Sequence, residues 1–274
     1  MKSAGRTGDR TSKAEGIITG FRVIIIQRDR IRKEGRYFGN QMKNNLRWLG
    51  HAAFEITTAR GARILIDPWI TGNPACPVKV GEMPAPDLIL VTHDHHDHYG
   101  SDIPALLGKG QGILISQPEV AARAKKDGVP AAQIITGGSG MNIGGTVEAK
   151  GVKATMTQAV HSSESGSPCG YIVTLEDGKT VYHAGDTGIF ASMKLFAGLY
   201  GIDLALLPIG GVFVMDPLQA AASLELLQPK TVIPMHYRTF PVLEQTADRF
   251  IALAKEKAPQ VEIKPLQPGE SMEF

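Results

Sequence analysis

The feature that most restricts this chain is His93-Asp94-His95-His96-Asp97-His98, which follows directly on the apolar run Leu88-Ile89-Leu90-Val91. An apolar run of that length closed by polar residues reads as a buried strand, so the histidines sit where a strand ends. With the spacers removed the pattern is His-x-His-x-Asp-His, four imidazole or carboxylate donors within six residues. Such donors suit a borderline cation such as Zn²⁺. Neighbouring side chains diverge, so the four cannot all reach one tetrahedral ion. His93 and His95 are expected to share one ion, while Asp97 and His98 turn to another. The plainer alternative is a hydrated His-rich surface loop, but so dense a donor set fits metal binding better.

Length and composition set the frame around this loop. A chain of 274 residues with 43% hydrophobic content can bury the core of one large domain or two small ones. No apolar run approaches the roughly 18 residues of a membrane span. Cys76 and Cys169 are the only cysteines, too few for a disulfide framework, and a reducing, cytoplasmic setting is expected. The net charge of +2 conceals an asymmetry: residues 1–41 hold ten Lys/Arg against four Asp/Glu, and the remainder 19 against 23. The body therefore gives no sign of a nucleic-acid surface.

Within residues 1–41 the apolar stretches Ile17–Ile18 and Phe21–Ile26 are too short for a signal peptide and lack a small-residue cleavage site. This segment is expected to be a basic N-terminal extension, disordered or non-native, with translation starting at Met42. A basic targeting arm is the rival reading. Residues 42–274 are expected to form the working domain.

Leu46–Ile56 and Ala62–Ile66 read as paired strands around a turn at Ala59-Arg60-Gly61, the second stopped by Pro68. Residues 71–86, rich in Pro and Gly, are expected to loop over the mouth of the site. Ser116-Gln117-Pro118-Glu119 resembles a capping box opening a helix to Lys126. Ile134–Ile135, Gly145–Ala149 and Val152–Ala159 read as a further set of strands. Tyr171–Leu175 and Thr180–His183 flank an Asp-Gly hairpin turn. Leu204–Pro208 and Thr231–Pro234 are short buried strands, Asp216-Pro217 opens a helix to Gln228, and Val242–Lys257 is a closing amphipathic helix. Periodicity alone supports a mixed α/β fold.

The metal loop, the leading Leu46-Arg47-Trp48-Leu49-Gly50-His51-Ala52 and the late Pro234-Met235-His236-Tyr237 together resemble the metallo-β-lactamase superfamily. Within it the chain is similar to uncharacterised metal-dependent hydrolases akin to ascorbate-6-phosphate lactonases, over residues 42 to 274. The resemblance implies an αββα sandwich, two face-to-face mixed β-sheets with helices outside. It also implies a dinuclear centre: His93, His95 and His161 on one ion, Asp97, His98 and His236 on the other, and Asp186 bridging. The cofactor expected is a pair of divalent ions, Zn²⁺ first, with Mn²⁺ and Fe²⁺ compatible. Hydroxide shared by the pair would attack a carbonyl or phosphoryl centre of an ester, lactone or phosphodiester, with Asp97 orienting it.

Asp67 and His51 are the candidates to hold the ligand histidines from behind, since such histidines donate their far N–H to a carboxylate or carbonyl. His183 and His96 read as structural or exposed. Tyr237 and Arg238 could face substrate. Relatives often carry a small amide at 238, so Arg238 is a departure, and its guanidinium suits an anionic group. A plain surface arginine is the equal alternative, so the partner expected is a small molecule, anionic if Arg238 binds it, with no nucleic acid or membrane; a homo-oligomer stays open. Ser162, Ser163 and Ser165 lack a base and are not expected to be nucleophiles. Phe213 and Met215 are expected to line the core or the pocket wall. The zinc-thiolate members would need Cys in place of Asp186, and the flavodiiron members a carboxylate in place of His95. An iron-dependent redox protein and a metal-binding protein without turnover are the alternatives to a hydrolase.

Overall fold

The computed structural model describes residues 42–274, and the expectations for residues 1–41 lie outside the described residues. The strands are β1 (Asn45–Gly50), β2 (Ala53–Thr57), β3 (Arg63–Ile66), β4 (Leu88–Leu90), β5 (Ile113–Ile115), β6 (Thr146–Ala149), β7 (Val152–Gln158), β8 (Cys169–Thr174), β9 (Thr180–His183), β10 (Leu204–Pro208), β11 (Thr231–Met235), β12 (Glu262–Ile263) and β13 (Ser271–Glu273). They form one sheet in the order β13-β1-β2-β3-β4-β5 and another in the order β12-β11-β10-β9-β8-β7-β6. Both sheets are mixed, as expected: β3, β4 and β5 run parallel, as do β9, β10, β11 and β12, while the rest pair antiparallel.

Strand periodicity explains the layering. Ile64, Ile66, Leu88 and Leu90 point between the sheets, where they meet Met156, Tyr171 and Val173. Leu65, Ile89 and Leu114 point the other way, into a separate apolar layer with Leu106 and Val120. Each such Leu or Ile contributes roughly 1.5–3 kcal/mol on full burial. The helices are α1 (His96–Tyr99), α2 (Ile103–Leu107), α3 (Pro118–Lys126), the single turn α4 (Ile135–Gly138), α5 (Met193–Tyr200), α6 (Pro217–Leu227) and α7 (Asp248–Lys257). Among the described residues no helix is long and apolar enough to cross a membrane.

Several local expectations change. Leu46–Ile56 is two strands, because the chain reverses at His51-Ala52 and pairs Gly50 with Ala53. Gly50 takes φ +95°, and a Cβ there would lie 2.9 Å from that of Ala75, so the turn needs glycine. Ser116 does not cap α3: Gln117 is the N-cap, and the Ser116 hydroxyl donates to the Gln117 carbonyl. The closing helix begins at Asp248 rather than Val242, since Gln245 bonds the Phe240 and Leu243 carbonyls and folds that stretch into turns. Ile134 makes a lone bridge to Leu114 and Ile135 opens α4, so no strand forms there. Residues 71–86 pack through Val78, Val80 and Met83 on the outer apolar layer, and Ala75 lies against Gly50, next to His51. Asp216 does cap α6, accepting from Gln219 N at 2.8 Å.

Candidate metal centre

The parallel strands of both sheets end on one edge, where ligands bind in open α/β sheets. Asp67 follows β3, His93 follows β4, Asp186 follows β9 and His236 follows β11, while His161 lies in the loop after β7. His51 occupies the β1–β2 turn, and its carbonyl accepts from Trp48 Nε1 (2.9 Å) and from His236 N (3.1 Å), tying the two sheets together. His51, Asp67 and His236 have φ of 55°, 45° and 56°. Left-handed backbone at non-glycine residues costs roughly 1–3 kcal/mol each and clusters at functional sites.

The structure brings all seven sequence-predicted donors together, and adds His51. One group contains His93, His95 and His161; another His51, Asp97, His98 and His236; a further one His93, His98 and Asp186; within each, the donor atoms lie within 4.8 Å of one another. Six of the chain's eight histidines are thereby gathered. Asp186 sits centrally, with Oδ2 3.0 Å from His236 Nε2 and 3.4 Å from His161 Nε2, and Oδ1 3.2 Å from His98 Nε2.

Hydrogen bonds fix which nitrogens face inward. His98 Nδ1 donates to Asp67 Oδ2 at 2.8 Å, leaving Nε2 toward Asp186. Thr92 Oγ1 donates to the same Asp67 oxygen (2.7 Å), so it accepts from His93 Nδ1 (3.0 Å). His93 Nε2 then faces His95 Nδ1 at 3.0 Å. Among the described residues His51 Nδ1 and His236 Nδ1 are buried without a hydrogen-bond partner, while His98 Nε2 and Asp186 Oδ1 face only each other, at 3.2 Å and without hydrogen-bond geometry. Buried polar atoms rarely stay unpaired, and imidazole and carboxylate lone pairs converging this way fit divalent cations.

Charge follows the same geometry. Burial, reinforced by His98, pushes the His93 imidazole down to about 3; burial and His236 push His51 down to about 4, so both are neutral at pH 7. Burial also lowers His161. For His98 burial acts downward, but the charges of Asp186 and Asp67 outweigh it and raise the imidazole well above its usual range. Burial opposes ionisation of Asp186 and Asp97, yet His236 and His98 hold Asp186 well below the carboxylate range, and the His51 hydrogen bond does the same for Asp97.

Other expected residues are placed as follows. Asp67 lies behind His98, as read from the sequence. The β1–β2 reversal carries the His51 ring into the cluster, 3.9 Å from that of His236, with Nε2 on Asp97 Oδ2 at 3.2 Å, a position from which it can support a ligand or serve as one. Tyr237 does not face a substrate: it is 3% exposed and stacks on Trp48 at 5.5 Å, the left-handed turn at His236 having ended β11 before it. Arg238 is exposed, with its guanidinium donating to Gln267 Oε1 at 2.8 Å. His183 is buried on the Ala52 carbonyl, and His96 is exposed beside Trp69.

Two residues escaped sequence reading. Thr92 is the relay to His93. Asp94, a spacer within the loop, anchors the segment that carries His161. Its Oδ1 accepts from Ser163 Oγ (2.7 Å) and Ser165 N (2.9 Å), and its Oδ2 from Ser165 Oγ (2.5 Å). The serines thus position a histidine. Their crowding after His161, paired with the one acidic spacer between two donor histidines, was the available signal. Asp94→Ala is expected to weaken metal affinity about tenfold, as loss of an outlying support does. Competition against a chromophoric chelator measures this, and unchanged affinity would show that His161 stands without the anchor.

Residues 45–236 match the family model described as "Beta-lactamase superfamily domain". The chain is 50% identical over 233 residues to a UPF0173 metal-dependent hydrolase of Nitratidesulfovibrio vulgaris, covering 84% of this chain and 95% of that one. It is 46% identical over 227 residues to one from Korarchaeum cryptofilum, covering 83% and 98%. Among solved structures it is similar to Igni18, a metallo hydrolase from Ignicoccus hospitalis, with a TM-score of 0.76 and 37% identity over 85% of this chain and 98% of that one. Donor edge, sandwich and sequence agree, and the chain belongs to the metallo-β-lactamase superfamily, within its UPF0173 metal-dependent hydrolases.

Proposed function

We propose that the two main donor groups each hold a divalent cation, with Asp186 between them, and that the protein hydrolyses an ester, lactone or phosphodiester bond of a small molecule. The observation that supports this is the convergence of eight His and Asp side chains from both sheets, several with buried, unpaired donor atoms. Bound cations supply Lewis acidity, polarising a substrate oxygen and making water acidic near neutral pH.

The chain's own residues supply the rest. Asp97 is the carboxylate nearest solvent in the cluster, 14% exposed, and His51 Nε2 holds it at 3.2 Å. It is ionised at neutral pH and available to orient an attacking water. Asp186 places negative charge among His98, His161 and His236, and Asp67 with Thr92 keeps His98 and His93 in the orientation that points Nε2 inward. Trp69 closes one side, its ring 5.4 Å from that of His51, and limits water there. Zn²⁺ suits the histidine-rich groups; Mn²⁺ and Fe²⁺ suit the carboxylates. A reducing, cytoplasmic setting suits the unpaired thiols Cys76 and Cys169.

The test is separate loading with Zn²⁺, Mn²⁺ and Fe²⁺, ion counting by plasma mass spectrometry, and assay on esters, lactones and phosphodiesters. Two ions per chain and turnover of at least one class are expected. One ion per chain, or a fully loaded protein inert on all three classes, overturns the proposal.

A further inference from the structure

Beside the donors lies a groove with exposed apolar edges that the hydrolase reading does not use. The segment after β10 starts against the cluster: a Cβ placed on Gly210 would lie 3.3 Å from His236 Nδ1. Farther along, Met215 N donates to Thr187 O at 2.9 Å, and Val160 N donates to Thr187 Oγ1 at 2.9 Å, so the segment is stitched to the residue next to Asp186. Between these attachments the chain projects a tip, with Val212 71% and Phe213 55% exposed. Val212 has φ +56°, an outlier for a β-branched residue, held by Gly211 N on Met215 O at 3.1 Å. Strain of this kind persists where the surroundings impose it and marks functional loops.

A cavity of about 570 Å³ separates this tip from residues 242–246, with Gly210 in its wall and Val212 and Val242 at its edges. Among the described residues its charged lining residues are Asp216 and Glu244, with no Lys or Arg in the lining itself. Phe240, just before residues 242–246, packs edge-on to His51 at 5.5 Å and stacks on Trp69 at 6.0 Å, so that wall too reaches the donors.

We propose, resting on the hydrolase reading above, that this groove takes the uncharged alkyl arm of an acyl substrate whose reacting group sits at the donors. Apolar edges favour a hydrocarbon chain, and although Glu244 pairs with Arg249 at 3.3 Å, Asp216 leaves a negative charge in the lining that disfavours an anion. This differs from the anionic group expected from Arg238, whose exposed guanidinium donates to Gln267.

Calorimetric titration of the zinc-loaded protein with three hydroxamates, whose shared head group binds metal, tests this without turnover. The probes are acetohydroxamate, octanohydroxamate and the monohydroxamate of suberic acid, which ends in a carboxylate. The octanoyl probe should bind about tenfold tighter than the acetyl probe, a modest return for a partly buried chain, and the carboxylate-tipped probe should lose most of that gain. The double substitution Val212→Ser, Phe213→Ser should collapse the octanoyl-to-acetyl ratio toward one. Equal affinities in the parent protein, a ratio unchanged in the double variant, or a carboxylate-tipped probe that binds as well as the octanoyl one overturns the subsite. Self-association lost in the variant while the ratio persists would assign the tip to a second copy of the chain, again against the proposal. If no probe binds, or no zinc is taken up, the metal-centre reading has failed and the subsite falls with it.

Discussion

Asp186→Asn should lower kcat/KM by about a thousandfold and reduce the bound metal, the largest catalytic effect expected of any single substitution here. Among the described residues Asp186 alone places its carboxylate within 3.4 Å of nitrogens from His98, His161 and His236. The amide keeps the shape and removes the charge that those imidazoles and any cations share. Loss of several kcal/mol of metal-derived stabilisation corresponds to roughly three powers of ten in rate. Metal content by plasma mass spectrometry, followed by kinetics on whichever substrate class the protein accepts, reads both effects. Circular dichroism confirms that the variant is folded. A variant with full metal and full activity would remove Asp186 from the centre.

Asp67→Ala should be the most destabilising change at the site. Asp67 is fully buried and accepts from Thr92 N (2.8 Å), Thr92 Oγ1 (2.7 Å) and His98 Nδ1 (2.8 Å). Burial opposes its ionisation, but the charge and hydrogen bond of His98 keep it below the usual carboxylate range. Its removal strands His98 in the interior, a loss of about 3–5 kcal/mol for a buried partner. For a domain of this size that lowers Tm by roughly 10 °C. Scanning calorimetry on metal-free protein isolates the effect from lost metal binding. Asp67→Asn should fall by less, because its amide oxygen still accepts from Thr92 N. A shift below about 2 °C for the alanine variant would show that Asp67 does not hold this corner together.

What the sequence disclosed follows from how local each signal is. His93, His95, Asp97 and His98 were legible because a strand end and a donor run are adjacent in the chain. His161, Asp186 and His236 carry no local mark, since a histidine at a strand end is ordinarily just a satisfied polar group; family likeness pointed to them. His51 was under-read for a backbone reason. Gly50-His51-Ala52-Ala53 lacks Pro, Asn or Asp, so the run from Leu46 to Ile56 looks continuous, and the reversal depends on positive φ at Gly50 and His51. Tyr237 was misplaced because adjacency in sequence to His236 does not give adjacency in direction. The helix ending at Lys257 was drawn too long because Val242 and Leu243 fit its apolar period although Gln245 folds them otherwise.

The carbonyl of His51 meeting the amide of His236 shows that neither sheet alone owns the centre. The N-terminal layer presents His51, His93, His95, Asp97 and His98; the C-terminal layer brings His161, Asp186 and His236. A cation held by donors from both layers would act as a rivet, complete only once the halves have closed. Its binding free energy then counts toward folding, about 4 kcal/mol when free metal exceeds its dissociation constant a thousandfold. Chelation should accordingly lower the stability of the native state as well as its activity, and a chain caught half-assembled offers the ion only the donors of one layer.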